Sequence, residues 1–584
     1  MLKGNLLNSW FALLIMAVAT FAAYFNSFDV PFYLDDFGSI VNNPSFKGSV
    51  SIYSLLSDYG LRTLGYLSFY IDYTFYKQIP TGYHYTNVTI HLISGFVIFL
   101  FVKKLFELAY PSSSSLARYA CALLASLLFI THPIQTQAVT YIVQRLASLA
   151  ALFYLLSVCS YLYARSSKSG LKQNLLFSVA VLSVFCAFFT KQNTVTLVLV
   201  ILLIEWMFFA KRTANKLLAI IGSLASILLL LFVFLPTAPF IHQLDAISRE
   251  TIEISRLDYF SSQLCILWMY VGKLIWPTTL HLDYGLKVEQ FGLFTVVVSA
   301  IAHCAVLIIT FILRRSLPLL FFGIAFFYIA HLIESSIFPI TDLVFEHRAY
   351  LPNVGLFIAL SSVVYAIGSK LERRKVSFLL LPVAGGLLIG LTLLTIARNE
   401  QWRDPAEFYE NELRYNPNNV RTIHNYAEYS GRIGDLEKAE SLIKRMYEVP
   451  GGKIDGAMVN THIVLLMSQG KFRDAASLGR RLLEQEALHP RTRVYVLSNL
   501  GIIYTTVGKY ALADKYFREA YPSGAMTIKG LNAYAFSLIK NGYPLKAIEV
   551  IDDIVKINPN SKNAEALRSL AMGNTPRVRD DVQP

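Results

Sequence analysis

From Lys3 to Ile396 the chain alternates long apolar blocks with short polar connections, and from Arg398 onward it takes the spacing of amphipathic helices in water. Blocks of about 18 to 22 apolar residues, enough to cross the hydrocarbon core as helix, lie near residues 8–25, 86–102, 117–131, 146–164, 174–190, 193–209, 217–236, 291–312, 317–338, 352–369 and 376–397. They predict roughly eleven spans. The first block has only Lys3 ahead of it and no small-residue cleavage site, so it reads as a retained helix. A further segment, Asp258 to Trp276, is apolar but rich in aromatic residues and interrupted by Gly272 and Lys273. It is assigned to the membrane surface or to a re-entrant element.

Basic residues recur at every second connection: Lys103 with Lys104, Arg165 with Lys168 and Lys172, Lys211 with Arg212 and Lys216, Arg314 with Arg315, and Arg373 to Lys375. The positive-inside rule places these in the cytoplasm. With the N-terminus inside, the connections 26–85, 132–145, 237–290 and 339–351 then face outward together with the tail. If Asp258 to Trp276 crossed the membrane, the last two basic clusters would move outside.

The tail carries an internal repeat. Gly434, Gly470, Gly508 and Gly542 recur every 34 to 38 residues, and each is followed five positions later by Ala439, Ala475, Ala513 or Ala547. This is the tetratricopeptide period. Glycine ends the first helix of each pair, and alanine lets the second pack closely on the next. Asn416-Pro417 and Asn558-Pro559 fall at breaks between units, and 402–416 reads as the second helix of a partial, capping unit. The expected fold class is all-α: a polytopic membrane domain over 1–397, then a tetratricopeptide α-solenoid over 398–584 that binds a protein on its concave face.

Composition agrees. At 54% hydrophobic and 16% charged, with mean hydropathy +0.47, the chain is too apolar for one soluble core. The net charge of +13 gathers in clusters between apolar blocks, so topology accounts for it and no nucleic-acid partner is implied. Cys121, Cys159, Cys186, Cys265 and Cys304 are scattered singly, with neither disulfide nor metal spacing.

Candidate chemistry lies in the outward connections. The first opens with Tyr33-Leu34-Asp35-Asp36. Two adjacent carboxylates raise the pKa of one of them, which suits a proton-abstracting base, although such a pair also caps helices in solvated loops. Arg62, Tyr83, His84, Asn87 and His91 follow, His91 one turn beyond Asn87 on the same face. A lone histidine at the top of a span reads first as a core residue. The other connections hold His132-Pro133, Gln144-Arg145, Lys191-Gln192, Asp283-Tyr284, Asp342 and the run Glu346 to Pro352. Cations at a bilayer edge ordinarily reach for headgroups. Positive-inside bias should nevertheless thin them from short outer turns, and Arg145, Lys191 and Arg348 are there. A phosphate held at the outer surface accounts for them. A carboxylate to take a proton and cations to hold a leaving phosphate are what sugar transfer from a lipid phosphate requires.

Tyr33-Leu34-Asp35-Asp36, Arg62-Thr63-Leu64 with Leu67-Ser68-Phe69, Gly82 to Asn87 through His91, His132 to Val139, and Glu346 to Pro352 together resemble the transmembrane and tetratricopeptide-repeat-containing (TMTC) proteins, relatives of the protein O-mannosyltransferases. Their order along nearly the whole chain carries the match. The resemblance implies a GT-C fold, a polyprenyl- or dolichyl-phosphate monosaccharide donor, and transfer to a protein hydroxyl on the outer or lumenal face, where the repeats also stand. It implies that the base is Asp35 or Asp36, with Asp36 favoured by position. Arg348, His347, Arg145 and Lys191 are then donor-phosphate candidates, and Glu346, His91, His132, Arg62, Tyr350 and Asp283 are further candidates. No cofactor is required and no metal is assigned, although the two aspartates could ligate a divalent cation, which other GT-C enzymes use.

Two departures stand out. The family usually reads Arg-Pro-Leu where this chain has Arg62-Thr63-Leu64, and often Lys-Glu where it has Lys191-Gln192, which removes a carboxylate partner from Lys191. The expected function is a membrane glycosyltransferase whose partners are a polyprenyl-phosphate sugar, a protein acceptor recruited by the repeats, and the bilayer. The same architecture could glycosylate a lipid or a surface polysaccharide, or act as a non-enzymatic scaffold. A transporter is a weaker reading, because the spans show neither paired buried charges nor inverted repetition. The expected location is a cell inner membrane with a cytoplasmic N-terminus and periplasmic repeats, or the endoplasmic reticulum membrane with lumenal repeats. The absence of a retention signal at Val582-Gln583-Pro584 suits the former.

Overall fold

The computed structural model describes residues 2–46, 50–209, 250–373, 380–485, 488–558 and 561–573. Among the described residues every regular element is helical, as the all-α reading requires. The chain divides into two compact units, Met1–Val41 with Ser51–Asp404, and Asn42–Val50 with Pro405–Pro584.

The helices of the first unit are α1 (Leu2–Tyr24), α2 (Ile52–Tyr59), α3 (Thr63–Tyr76), α4 (Pro80–Ala109), α5 (Ser115–Thr131), α6 (Thr136–Val139), α7 (Arg145–Ser166), α8 (Gly170–Phe188), α9 (Leu197–Phe208), α10 (Arg256–Ile275), α11 (Leu293–Leu313), α12 (Pro318–His331), α13 (Pro352–Arg373) and α14 (Leu380–Glu400). Among the described residues six helices are long and apolar enough to cross a membrane: Ser9–Asp29, Ile142–Ser166, Gly170–Phe188, Leu293–Leu313, Pro352–Glu372 and Leu380–Glu400. A seventh is counted if Ser115–Thr131 and Pro133–Val139, bent by 55°, form one broken span. The chain is thus a multi-pass membrane protein, but the expected eleven spans are not confirmed. The blocks at 193–209 and 317–338 fold as the shorter apolar helices Gln192–Phe208 and Pro318–His331. The block at 217–236, Lys211, Arg212, Lys216, Lys375 and Val582 to Pro584 lie outside the described residues.

The core of this unit is shared by α1, α4, α5, α7, α9, α12 and α13. The closest approach runs through two glycines, since a Cβ on Gly323 of α12 would lie 2.3 Å from the Gly355 carbonyl oxygen of α13. Asp258 to Trp276 folds as α10, capped by Ser255, with Tyr259, Ile266, Leu267 and Tyr270 packed against Phe327, Leu343 and Val344. It is not among the six. The unit runs past residue 397 because Trp402 is fully buried, edge-on to Tyr33 at 5.2 Å and stacked on Tyr141 at 5.7 Å.

In the second unit α15 (Pro405–Tyr415) occupies the predicted capping segment and packs on α16 (Val420–Ile433). Helical hairpins follow: α16 with α17 (Leu436–Glu448), α18 (Gly456–Ser468) with α19 (Phe472–Leu483), α20 (Pro490–Thr506) with α21 (Tyr510–Ala520), and α22 (Ile528–Lys540) with α23 (Pro544–Ile557), then α24 (Lys562–Gly573). The four repeat glycines have φ of +87°, +73°, +74° and +78°, the left-handed conformation that stops the first helix of each hairpin. Ala439, Ala475, Ala513 and Ala547 are buried at the hairpin contacts, as their spacing predicts.

Candidate functional site

The connections predicted to share one side of the membrane meet at one end of the first unit. Asn26 donates to the Ile396 carbonyl at 3.0 Å, the His132 ring bonds Leu274 O at 2.8 Å, and the His347 N–H donates to Gln137 Oε1 at 2.8 Å. Two clusters and one strut form there.

The first cluster is the acidic turn. The N–H of Asp36 donates to Tyr33 O at 2.7 Å, and Leu34 at its apex has φ of +40°, a conformation that branched side chains rarely adopt. The turn is tied down on three sides. Tyr33 Oη donates to Trp402 O at 2.7 Å, the Asp35 N–H donates to Tyr141 Oη at 3.1 Å, and both oxygens of Asp36 accept backbone N–H groups, from Tyr33 at 2.9 Å and Val143 at 2.8 Å. Asp36 is 1% exposed, whereas Asp35 stands open. Burial pushes the Asp36 carboxyl up to about 8, against the two backbone bonds, with the Asp35 charge adding to the rise and Arg145 opposing it. Burial also raises the Tyr141 phenol, followed by the charges of Asp35 and Asp36.

The strut is Arg145, and here the structure corrects the sequence. Arg145 is fully buried. Its guanidinium donates to Asn87 Oδ1 at 2.6 Å, Ser68 O at 3.1 Å and Tyr83 O at 3.0 Å, pairs with Asp72 at 2.6 Å and lies over Phe69. With its fork engaged and no solvent access it cannot reach a donor phosphate. It ties α3, α4 and α7 together instead. This pair and Arg165 with Glu205, 2.6 Å apart, are among the buried or half-buried paired charges that sequence reading did not find.

The second cluster brings four predicted residues, Lys191, His347, Arg348 and Tyr350, into one pocket that Asn193 and Glu334 also line. Lys191 Nζ donates to Glu334 Oε1 at 2.7 Å. Arg348 donates to Asp342 O at 2.7 Å and lies over the Phe345 ring at 5.3 Å. The Gln137 oxygen accepts both the His347 N–H, at 2.8 Å, and Nδ1 of the same residue, at 3.1 Å. Since a backbone N–H only donates, that arrangement makes Nδ1 the protonated nitrogen and Nε2 an acceptor. Burial first, then Lys191 and Arg348, hold His347 well below its ordinary value. Burial alone would raise Glu334, but Lys191 and then Arg348 bring it down to about 2.

The other candidates lie outside this pocket, Tyr350 excepted. Glu346 accepts from the His281 N–H at 2.7 Å and Tyr284 Oη at 2.6 Å, with Arg398 at 3.9 Å, and Asp283 accepts from the Gly285 N–H within its own turn. His91 bonds Tyr350 Oη at 2.8 Å and Ile130 O at 3.1 Å, joining two candidates in the core. His132 accepts from the Ile134 N–H and caps a short helix. Arg62 is exposed on a turn before α3. Glu334, Arg398 and Asp72 were missed. Glu334 carries a signal in retrospect, a carboxylate inside an apolar block. Among the described residues no three His, Cys, Asp or Glu side chains are grouped as metal ligands.

A polytopic helical unit with a pinned acidic turn and a cationic pocket at one end, continued by helical hairpin repeats, defines a repeat-bearing integral membrane protein. The chain is similar over most of its length to protein O-mannosyl-transferase TMTC3 of Homo sapiens, at 23% identity over 96% of this chain and 65% of that one. Against protein O-mannosyl-transferase TMTC3 of Mus musculus it is 24% identical over 98% and 66%, and against protein O-mannosyl-transferase TMTC4 of Homo sapiens 24% over 73% and 64%. The resemblance to the TMTC family read from the motifs therefore holds. The chain spans somewhat less than two thirds of the length of these relatives. No family model matches it.

Proposed function

We propose that the protein is a membrane glycosyltransferase of GT-C type that moves a monosaccharide from a polyprenyl-phosphate-linked donor to a hydroxyl of an extracytoplasmic protein. The repeats, on the same side as the acidic turn, recruit the acceptor. The printed activity of the relatives, protein O-mannosyl-transferase, supports the reaction class. The observation that carries the reading to this chain is the joining of Lys191 and Arg348, far apart in sequence, in one pocket.

Asp35 is the base in this reading. Its carboxylate is open to an approaching hydroxyl, while Asp36 has both oxygens engaged and holds the turn. The acceptor oxygen bonds to the sugar C1, its proton passes to Asp35, and the C1–O bond to phosphate breaks with the electron pair staying on the phosphate oxygen. Lys191 and Arg348 hold that phosphate as its charge grows. His347, neutral with a bare Nε2, suits a donor hydroxyl better than a phosphate oxygen. No resident metal is assigned in this reading. The location follows from charge: basic connections in the cytoplasm, N-terminus inside, acidic turn and repeats in the periplasm or lumen.

The test is transfer by the full chain in lipid nanodiscs, from polyprenyl-phosphate mannose to a Ser/Thr-rich peptide, with Arg348→Ala and Lys191→Ala beside wild type. Sugar on the peptide with wild type and a loss of at least about a hundredfold in the variants supports the reading. Transfer to lipid or polysaccharide alone would move the acceptor, and no transfer to any of them would favour a scaffold.

A further inference from the structure

Glu334 sits where the proposed reaction puts a phosphate. It is 7% exposed and 2.7 Å from Lys191, in the same pocket as Arg348 and His347. Its peptide carbonyl accepts from Tyr259 Oη, which fixes the backbone from which the side chain reaches Lys191. An anion-binding pocket gains nothing in affinity from a carboxylate, so its presence calls for a reason.

Charge supplies one. With Lys191 and Arg348 positive, Glu334 negative and His347 neutral, the pocket carries a formal +1. A lipid phosphate bearing a sugar is a phosphodiester with one negative charge, which the pocket neutralises. Transfer breaks the bond between C1 and the phosphate oxygen, leaves the electron pair on that oxygen and sends the acceptor proton to a carboxylate elsewhere. The phosphate left behind is a monoester with a second pKa of about 6 and a charge approaching −2 at neutral pH. The filled pocket then has net negative charge, with a fixed anion among the groups that line it.

We infer that Glu334 is a release residue: its negative charge repels the dianionic lipid phosphate left after transfer twice as strongly as the monoanionic sugar-phosphate lipid, and so speeds departure of the product. The inference rests on the proposed function and adds the step that would limit turnover without this side chain. The groups facing Glu334 are Lys191 from the turn before α9, His347 and Arg348 from the turn before α13, Tyr259 and Tyr270 from α10, and His331 from α12, itself buried between Tyr270 and Phe327. The packed stretch of α7, Ala147, Ala150 and Ala151, contributes no charge.

The experiment measures binding of undecaprenyl monophosphate and undecaprenyl-phosphate mannose to the full chain in nanodiscs at pH 5 and pH 8, for wild type, Glu334→Gln and Glu334→Asp. At pH 8 the glutamine variant should bind the monophosphate roughly tenfold tighter than wild type, and the diester, with half the charge, about threefold tighter. At pH 5, where the monoester carries one charge, that gain should fall to about the diester's threefold. Glu334→Asp should behave as wild type, and in turnover Glu334→Gln should lower kcat more than KM, with stronger inhibition by the monophosphate. A glutamine variant that binds the monophosphate no tighter, or equally tighter at both pH values, overturns the inference and leaves Glu334 as a clamp on Lys191. Should that variant not fold, Glu334→Ala is read by the same comparison, and an equal gain at both pH values again overturns the inference. Wild type binding neither lipid would instead be a failure of the proposed function.

Discussion

Lys191 Nζ lies 2.7 Å from Oε1 of Glu334, a partner 143 residues further along the chain. The residue beside this lysine is Gln192, and its carboxylate partner comes from the turn after α12. The pair also sets an acid limit. Glu334 is held down to about 2, below its ordinary 4.5, so its contribution to stability is complete above pH 4.5 and lost as pH falls from there toward 2. Thermal melts of the detergent-solubilised protein should show an acid-side fall over this window that is smaller in Glu334→Gln.

Arg145 and Asp72 should behave as a structural pair. Removing either partner leaves a buried charge uncompensated, at a cost of about 3–5 kcal/mol. Arg145→Met and Asp72→Asn should therefore lower the melting temperature and the yield of folded protein. The double substitution Arg145→Met with Asp72→Leu should recover part of the loss. A folded, fully stable Arg145→Met that lacks transferase activity would return Arg145 to the list of phosphate ligands.

Asp35 and Asp36 should separate cleanly. Asp36→Asn sets an amide N–H against one of the two backbone donors, costing about 1–3 kcal/mol, so its melting temperature should drop. Asp35→Asn, exposed and keeping an amide oxygen that can accept from Tyr141, should melt close to wild type. Leu34→Gly, which relieves the positive φ next to Asp35, should be tolerated or stabilise by up to about 1 kcal/mol.

In the repeats, Gly508→Ala forces a side chain into the left-handed conformation and should cost about 1 kcal/mol. Ala513→Leu overfills a fully buried hairpin contact and should cost about 1–3 kcal/mol. Thermal melts of the full chain check both, and neither should alter binding of polyprenyl phosphate.

Much of this was legible in the sequence for a physical reason. Gly508 and Ala513 report their own surroundings, because a left-handed stop and a close hairpin contact are local demands on single positions. Lys191 and Arg348 stood out as cations in outer turns, where membrane topology predicts few, and Asp35 as one of two adjacent carboxylates. Three-dimensional partnership was not legible. Asp72 lies in a connection read as loop that folds as α3 and the start of α4, and nothing in its neighbours marks it as the partner of Arg145. The same holds for Asp35 against Asp36: both read as loop carboxylates, and the Val143 N–H, set by a distant segment, holds the buried one while the other stays open.

The central claim is that Asp35 serves sugar transfer to protein. Its most direct test is the intact mass of extracytoplasmic proteins from cells expressing wild type, Asp35→Asn or Asp36→Asn at equal level. The account predicts one defined sugar increment with wild type, complete loss of it in Asp35→Asn, and in Asp36→Asn a reduction that follows the amount of folded protein. An unchanged increment in Asp35→Asn would contradict it.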